Sequence, residues 1–150
     1  EGIFKIYSRE DYFLQLAETW GQAADRTFFE TARDYIVEGM PYFYEKTAEF
    51  SACTKYGEGL LVNAYTTWSD YKERFPRNYR AEVKEMLEEV SSELVKTNYA
   101  CGKEKTVINE LSQFIAAFPD SELSKTLSAR ILKIKDGREN FRFNGSRRKK

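Results

Sequence analysis

Histidine is missing from this 150-residue sequence, and cysteine, methionine and proline are scarce. Without histidine, the chain lacks the most common general base and the most common metal ligand of proteins. Catalytic triads of the usual type, mixed Cys/His zinc sites and Glu-x-x-His di-iron sites are therefore excluded. Two cysteines alone cannot close a structural zinc site. The sequence predicts no metal ion and no cofactor, and it favours a protein that is not an enzyme.

Other functional motifs are also missing. No apolar run approaches the roughly 18 residues of a transmembrane helix, and the dense Asp and Asn of a calcium loop are absent. Gly57-Glu58-Gly59 begins like a nucleotide-binding loop, but it lacks the third glycine. We interpret it as a turn between two helices. Five glutamates between Glu82 and Glu93 alternate with lysine, which is typical of a solvated helix face.

Apolar residues recur at helical spacing along most of the chain. The spacing predicts seven helices, at about residues 8–20, 25–38, 42–56, 61–75, 78–101, 106–118 and 121–137. No segment alternates convincingly with a period of two residues. We therefore predict an all-α fold, a compact bundle of about six to seven antiparallel helices. The bundle forms a single domain over residues 1–137, and a basic, flexible tail follows over residues 138–150.

Cys53 and Cys101 lie at the predicted C-terminal ends of two helices that run in the same direction. A disulfide between them is predicted, and the closed loop would stabilise the fold by about 4 kcal/mol. Two buried free thiols in a cytosolic protein are the alternative. The disulfide is favoured because both cysteines lie at helix ends and the chain begins without methionine, as a processed secreted protein does. Asn144-Gly145-Ser146 matches the N-glycosylation pattern, which also indicates an extracellular protein.

The C-terminus concentrates positive charge in a chain that is neutral overall. Four adjacent cations end the sequence: Arg147, Arg148, Lys149 and Lys150. We expect this tail to bind a polyanion such as a heparin-like glycan. A nuclear-import signal and a solubilising end without a ligand are the alternatives.

Aromatic residues are concentrated in the first 80 residues, which hold 18 of the 23. Tyr42 and Tyr44 flank Phe43 directly after Met40-Pro41, and these side chains are of the types enriched at protein interfaces. The corner formed by Met40, Tyr42, Phe43 and Tyr44 is therefore the predicted partner contact. In the alternative interpretation, the two tyrosines only cover the core, with their hydroxyl groups in water.

Six aromatic side chains on predicted inward faces either pack as core or enclose an apolar cavity. They are Trp20, Phe28, Phe43, Phe50, Trp68 and Phe75. The sequence thus predicts a secreted, non-enzymatic protein of the effector or inhibitor type, which acts by binding an extracellular protein partner. The alternative is a carrier that sequesters a lipid, hormone or amine in this cavity. An enzyme that uses carboxylates or tyrosine is a third hypothesis.

Overall fold

The structure is a computed structural model that describes residues 12–48, 51–139 and 141–144. The helices are α1 (Tyr12–Trp20), α2 (Ala23–Tyr35), α3 (Leu60–Arg74), α4 (Arg80–Lys96), α5 (Glu104–Ala117) and α6 (Glu122–Lys135). The strands are β1 (Ile36–Val37), β2 (Met40–Pro41), β3 (Tyr44–Ala48), β4 (Ser51–Lys55), β5 (Tyr99–Cys101) and β6 (Arg142–Asn144). None of the helices in this part of the chain is both long and apolar enough to cross a membrane.

The prediction of an all-α fold is wrong, because two β-sheets accompany the helices. β1 and β2 form a short antiparallel hairpin, whose turn residues Glu38 and Gly39 both have positive φ, as tight hairpin turns require. The larger sheet has the strand order β3-β4-β5-β6 and is mixed: β3 and β4 are antiparallel, and the other pairs are parallel. Parallel pairs need long crossovers. The pair α3 and α4 supplies the first, and α5 and α6 supply the second.

The predicted third helix, residues 42–56, contains the hairpin of β3 and β4 instead. Aromatic and β-branched residues are frequent in this segment, and they fit a pleated sheet better than a helix. Helical spacing placed Phe43 on an inward face, and it is indeed fully buried, as is Cys53. The pattern of buried residues therefore did not distinguish a helix from a β-hairpin in this segment. Phe50 lies outside the described residues.

A disulfide joins Cys53 to Cys101, as predicted. Its place in the fold differs from the prediction, because the cysteines lie on the neighbouring parallel strands β4 and β5 and not at the ends of two helices. The predicted fifth helix stops at Lys96, and the chain then enters β5. The Cα atoms of the two cysteines are 5.2 Å apart. Strand pairing, rather than the packing of helix ends, brings them together.

Part of the predicted tail belongs to the sheet, because β6 pairs with β5. Just before β6, the Phe141 ring lies 4.9 Å from the guanidinium of Arg130. Arg130 is itself buried and pairs with Glu139 at 2.7 Å. Residues 145–150, which include the predicted polyanion-binding cations and most of the glycosylation pattern, lie outside the described residues.

A buried carboxylate holds the turn at the start of α3. Glu110 of α5 is fully buried. Its Oε2 accepts hydrogen bonds from the N–H groups of Gly57 and Gly59, both at 2.8 Å, and its Oε1 accepts those of Leu61 at 2.9 Å and Val62 at 3.3 Å. A strand and not a helix precedes this turn, which corrects the sequence interpretation. The anion-binding position of a strand-turn-helix unit is thus occupied by the chain's own carboxylate.

The core combines residues from the helices and from the sheet. Trp68 and Tyr71 of α3 are its largest fully buried side chains, and Phe114 of α5 packs into the same cluster. Helix α3 packs against α2, α4 and α5, whereas α1 contacts mainly α2. Helix α1 is therefore attached to one side of the domain.

Candidate functional site

Four large apolar side chains are exposed along one side of α1. Their exposed fractions are 50% for Tyr12, 53% for Phe13, 41% for Leu16 and 83% for Trp20. Because successive residues are about 100° apart around a helix, the four share a sector of about 100°. We call this set of four residues the α1 face. It contains more than half of the large apolar side chains that the structure exposes among the described residues.

The α1 face reverses part of the sequence prediction. Helical spacing in the first predicted helix places four residues on one inward face: Phe13, Leu16, Ala17 and Trp20. Of these, only Ala17 is buried. Phe13, Leu16 and Trp20 face solvent instead, and Leu14 joins Ala17 in the contact with the domain. The sequence held a signal for this outcome: apolar residues cover more of the α1 circumference than one neighbouring helix, α2, can bury.

Aromatic contacts fix the α1 face to the rest of the domain. The Phe13 ring stacks on Phe29 of α2, with ring centres 5.6 Å apart and planes at 14°. Phe29 also contacts Tyr79, which precedes α4, at 5.8 Å. Tyr79 stacks in turn on the buried Phe28 at 4.0 Å. These ring contacts thus hold Phe13, and with it the α1 face, in a fixed position on the domain.

The two tryptophans report on this geometry in solution. Trp20 is the most exposed large apolar side chain described, whereas Trp68 is fully buried. We expect iodide to quench the emission of Trp20 and to leave that of Trp68 unchanged. Replacing Trp20→Phe should remove most of the quenchable emission, and Trp68→Phe should leave it in place. The opposite assignment would show that the α1 face is covered in the free protein.

The predicted partner corner is largely part of the core. Phe43 is fully buried and offers no surface to a partner. Tyr42 donates its hydroxyl hydrogen to the carbonyl of Leu60 at 3.1 Å, and burial raises its pKa to about 12. Tyr44 donates to Glu93, at 2.9 Å. Met40 of β2 is half-buried.

Two glutamates of α4 form a half-buried network with hydroxyl groups. Glu89 accepts from Tyr35 at 3.1 Å and from Tyr44 at 3.5 Å, and Glu93 accepts from Tyr44 and from Thr54, the latter at 2.5 Å. These two glutamates are therefore not part of a solvated face, as the sequence suggested. Burial raises the pKa of Glu89, and the negative charge of Glu93 adds to that effect.

The same surroundings act on the tyrosines of this network. Burial raises the pKa values of Tyr35 and Tyr44 well above the ordinary value, and the charge of Glu89 adds to this for Tyr35, as do the charges of Glu93 and Glu89 for Tyr44. Both hydroxyls therefore remain hydrogen-bond donors at neutral pH. A cleft of about 300 Å³ opens beside Glu93. The network joins α4 to α2, β3 and β4, and each of its hydroxyl groups is already paired with a carboxylate.

The six predicted cavity residues do not surround one cavity. Phe28 and Trp68 pack directly on each other, with ring centres 5.8 Å apart, and Phe43 is buried in the same cluster. Trp20 points into solvent on α1. Phe75 lines a separate cavity between α3 and α4. The described residues also contain no group of three or more side chains that could hold a metal ion.

No family model matches the chain, and comparison with curated proteins and with solved structures finds no similar one. Function is therefore argued from the side chains themselves. The α1 face is the candidate site that combines exposure, residue type and fixed geometry.

Proposed function

We propose that this protein is a binding protein without catalytic activity, which acts by occupying a protein partner. The observation that carries the proposal is the α1 face, with four large apolar side chains on one exposed side of a helix. Trp and Tyr are the residue types most enriched in the energetic centres of protein interfaces. Trp20, with 83% of its surface exposed, is the expected centre of the contact.

The area of the α1 face fits the centre of a standard interface. Since a large aromatic side chain buries about 200 Å², the three exposed aromatics together offer roughly 400 Å². A patch of this size is the largest that a monomer usually exposes, and such patches are often functional. A stable interface needs about 800 Å² on each partner. The neighbouring polar side chains, including the exposed Gln15 and Thr19 of α1, would supply the rim.

The chemistry of α1 favours a protein over a membrane. Helices that lie on membranes carry Lys or Arg on their polar side, whereas α1 contains no basic residue and one acidic residue, Glu18. A convex apolar ridge of this kind fits an apolar groove on another protein.

The disulfide between Cys53 and Cys101 supports an oxidising compartment, since structural disulfides persist outside the cytosol. We therefore propose that the protein is secreted and that its partner is extracellular. The basic residues Arg147 to Lys150 remain a proposed additional contact with polyanions.

A photo-crosslinking residue at position 16 tests the proposal. The full chain carrying benzoyl-phenylalanine in place of Leu16 is irradiated in extracellular fluid from the source organism, and the adduct is identified by mass. The matched control carries the same residue in place of Leu132, which is 60% exposed on α6. The purified partner is then titrated with the native protein and with Trp20→Ala. We expect the variant to bind at least about 30-fold more weakly.

Leu132→Ala should leave this affinity and the melting temperature unchanged. Equal affinities for the native protein and Trp20→Ala would overturn the assignment of the α1 face. An adduct between two copies of the chain would show that the α1 face mediates self-association and not binding to a different protein. Adducts that are identical from positions 16 and 132 would show that the face has no selective partner.

A further inference from the structure

A second candidate site lies at the corner where α3 ends and α4 begins. A cavity of about 180 Å³ is lined there by Lys72, Asn78, Arg80 and Lys84. None of the described residues that line it is acidic. Three cationic side chains thus line one small cavity.

These cations have little local compensation. Neither Lys72 nor Arg80 forms an ion pair with a carboxylate in the part of the chain that the structure describes. Lys84 approaches Glu88 at 3.6 Å on an exposed helix surface, where such pairs are weak. Like charges brought close together repel one another, so an anion between them would be favourable.

The remaining residues that line the cavity are apolar. Phe75 is half-buried, Val83 is buried, and Pro76 completes this side of the cavity. The cavity therefore combines cationic side chains with apolar ones that could contact a small hydrocarbon or aromatic group, as small-molecule sites usually do.

The corner is held in a defined shape. Tyr79, between Asn78 and Arg80, adopts a positive φ of 49°, which is strained for a residue with a side chain. Its ring stacks on Phe28, and its hydroxyl donates to Asp25 at 2.8 Å. These contacts hold Tyr79 in place, so the two neighbouring side chains that line the cavity start from a fixed backbone.

The start of α4 adds to the positive potential. Arg80, Val83 and Lys84 belong to its first turns, and Tyr79 provides no side-chain hydrogen bond to cap them. The first turn also contains Glu82, which does not line the cavity. The positive end of the helix dipole is therefore beside the cavity.

We propose that this corner pocket binds the phosphate group of a small phosphomonoester, whose apolar group lies against Phe75 and Val83. A phosphomonoester carries a charge of about −1.5 to −2 at neutral pH, which suits three cations better than a monoanion does. The cavity has the volume of about six water molecules, enough for a phosphate and a few carbon atoms. No residue of the α1 face lines it, so this inference is independent of the proposed function.

Binding of phenyl phosphate to the full chain, measured by calorimetry, tests the pocket. We expect inorganic phosphate and phenyl sulfate each to bind about tenfold more weakly, because the first lacks the apolar group and the second carries a single charge. Arg80→Gln should weaken phenyl phosphate about tenfold. Arg77→Gln is the matched control, since Arg77 is exposed at the same corner but does not line the cavity.

Equal affinities for all three anions, or equal losses in Arg80→Gln and Arg77→Gln, would overturn the pocket and indicate general electrostatic attraction. Vesicles of phosphatidylcholine with phosphatidic acid distinguish a lipid source of the same phosphate chemistry. Binding to these vesicles without binding to phenyl phosphate would show that the cations recognise a membrane surface and not a small ligand. An unchanged melting temperature of Arg80→Gln shows that any loss of binding is local.

Discussion

Replacing Glu110→Ala is expected to lower the free energy of unfolding by about 4 kcal/mol, because four backbone N–H groups lose their shared acceptor inside the protein. The carboxylate holds Gly57 and Gly59 of the turn and the first residues of α3 in one arrangement. Water cannot fully replace it, since Glu110 is completely buried. In a domain of this size, the melting temperature should fall by about 10 °C.

Glu110→Gln separates the charge from the shape of the side chain. The amide oxygen can still accept hydrogen bonds, but its NH₂ group would face two N–H donors, so we expect a loss of about 2 kcal/mol. The matched control is Glu85→Ala, an exposed position in α4, where the expected loss stays within about 0.5 kcal/mol. Chemical denaturation of the three variants measures these differences. A loss below about 1 kcal/mol in Glu110→Ala would contradict the role of the carboxylate.

The vacated position in Glu110→Ala offers a second readout. A helix N-terminus with several unpaired N–H groups attracts anions. Acetate should therefore raise the melting temperature of Glu110→Ala more than that of the native protein, since ligands that bind the folded state stabilise it. An equal effect on both proteins would show that the loss in Glu110→Ala comes from packing and not from the unpaired N–H groups.

The helices were predicted well where local pattern and tertiary structure agree. The fourth predicted helix, 61–75, corresponds closely to α3 (Leu60–Arg74). Its apolar stripe is clear, and Pro76 directly after it marks where the helix must end. The strands were missed because they are short and depend on distant partners. β5 contains three residues and pairs with β4 and with β6, which lie tens of residues away along the chain. No local period identifies such a strand.

The candidate sites show the same division between local and distant information. Helical spacing placed Trp20 on an inward face, but α2 covers only part of α1 and leaves Trp20 exposed. Tyr44 looked like an interface residue until its hydroxyl group was found on Glu93, 49 residues away along the chain. Lys72 and Arg80 lie on opposite sides of Pro76, and only the turn between α3 and α4 places both on one cavity. A cluster of cations around a proline is the signal that could have indicated this pocket.

Removing the disulfide is the second change with a large expected effect. The bond closes a loop over 48 residues that contains α3 and α4. The chain-entropy model gives about 4 kcal/mol for a loop of this length. Typical domains have a total stability of 5–15 kcal/mol, so we expect the double variant Cys53→Ala and Cys101→Ala to be folded but marginal. Urea denaturation of this variant and of the oxidised native protein measures the difference.

The reduced native protein is the matched control, because it lacks the bond but keeps both sulfur atoms. Equal stabilities of the reduced protein and the double variant would assign the loss to the bond, whereas a stable reduced protein would assign it to packing around the buried Cys53. The bond also supports a weak point of the sheet, since β4 and β5 pair over only two residue pairs, Thr54 with Ala100 and Lys55 with Cys101. Because the disulfide occupies both cysteines, the native protein should resist alkylation until it is reduced. If the fold survives reduction without loss of stability, the main physical argument for an extracellular partner is removed.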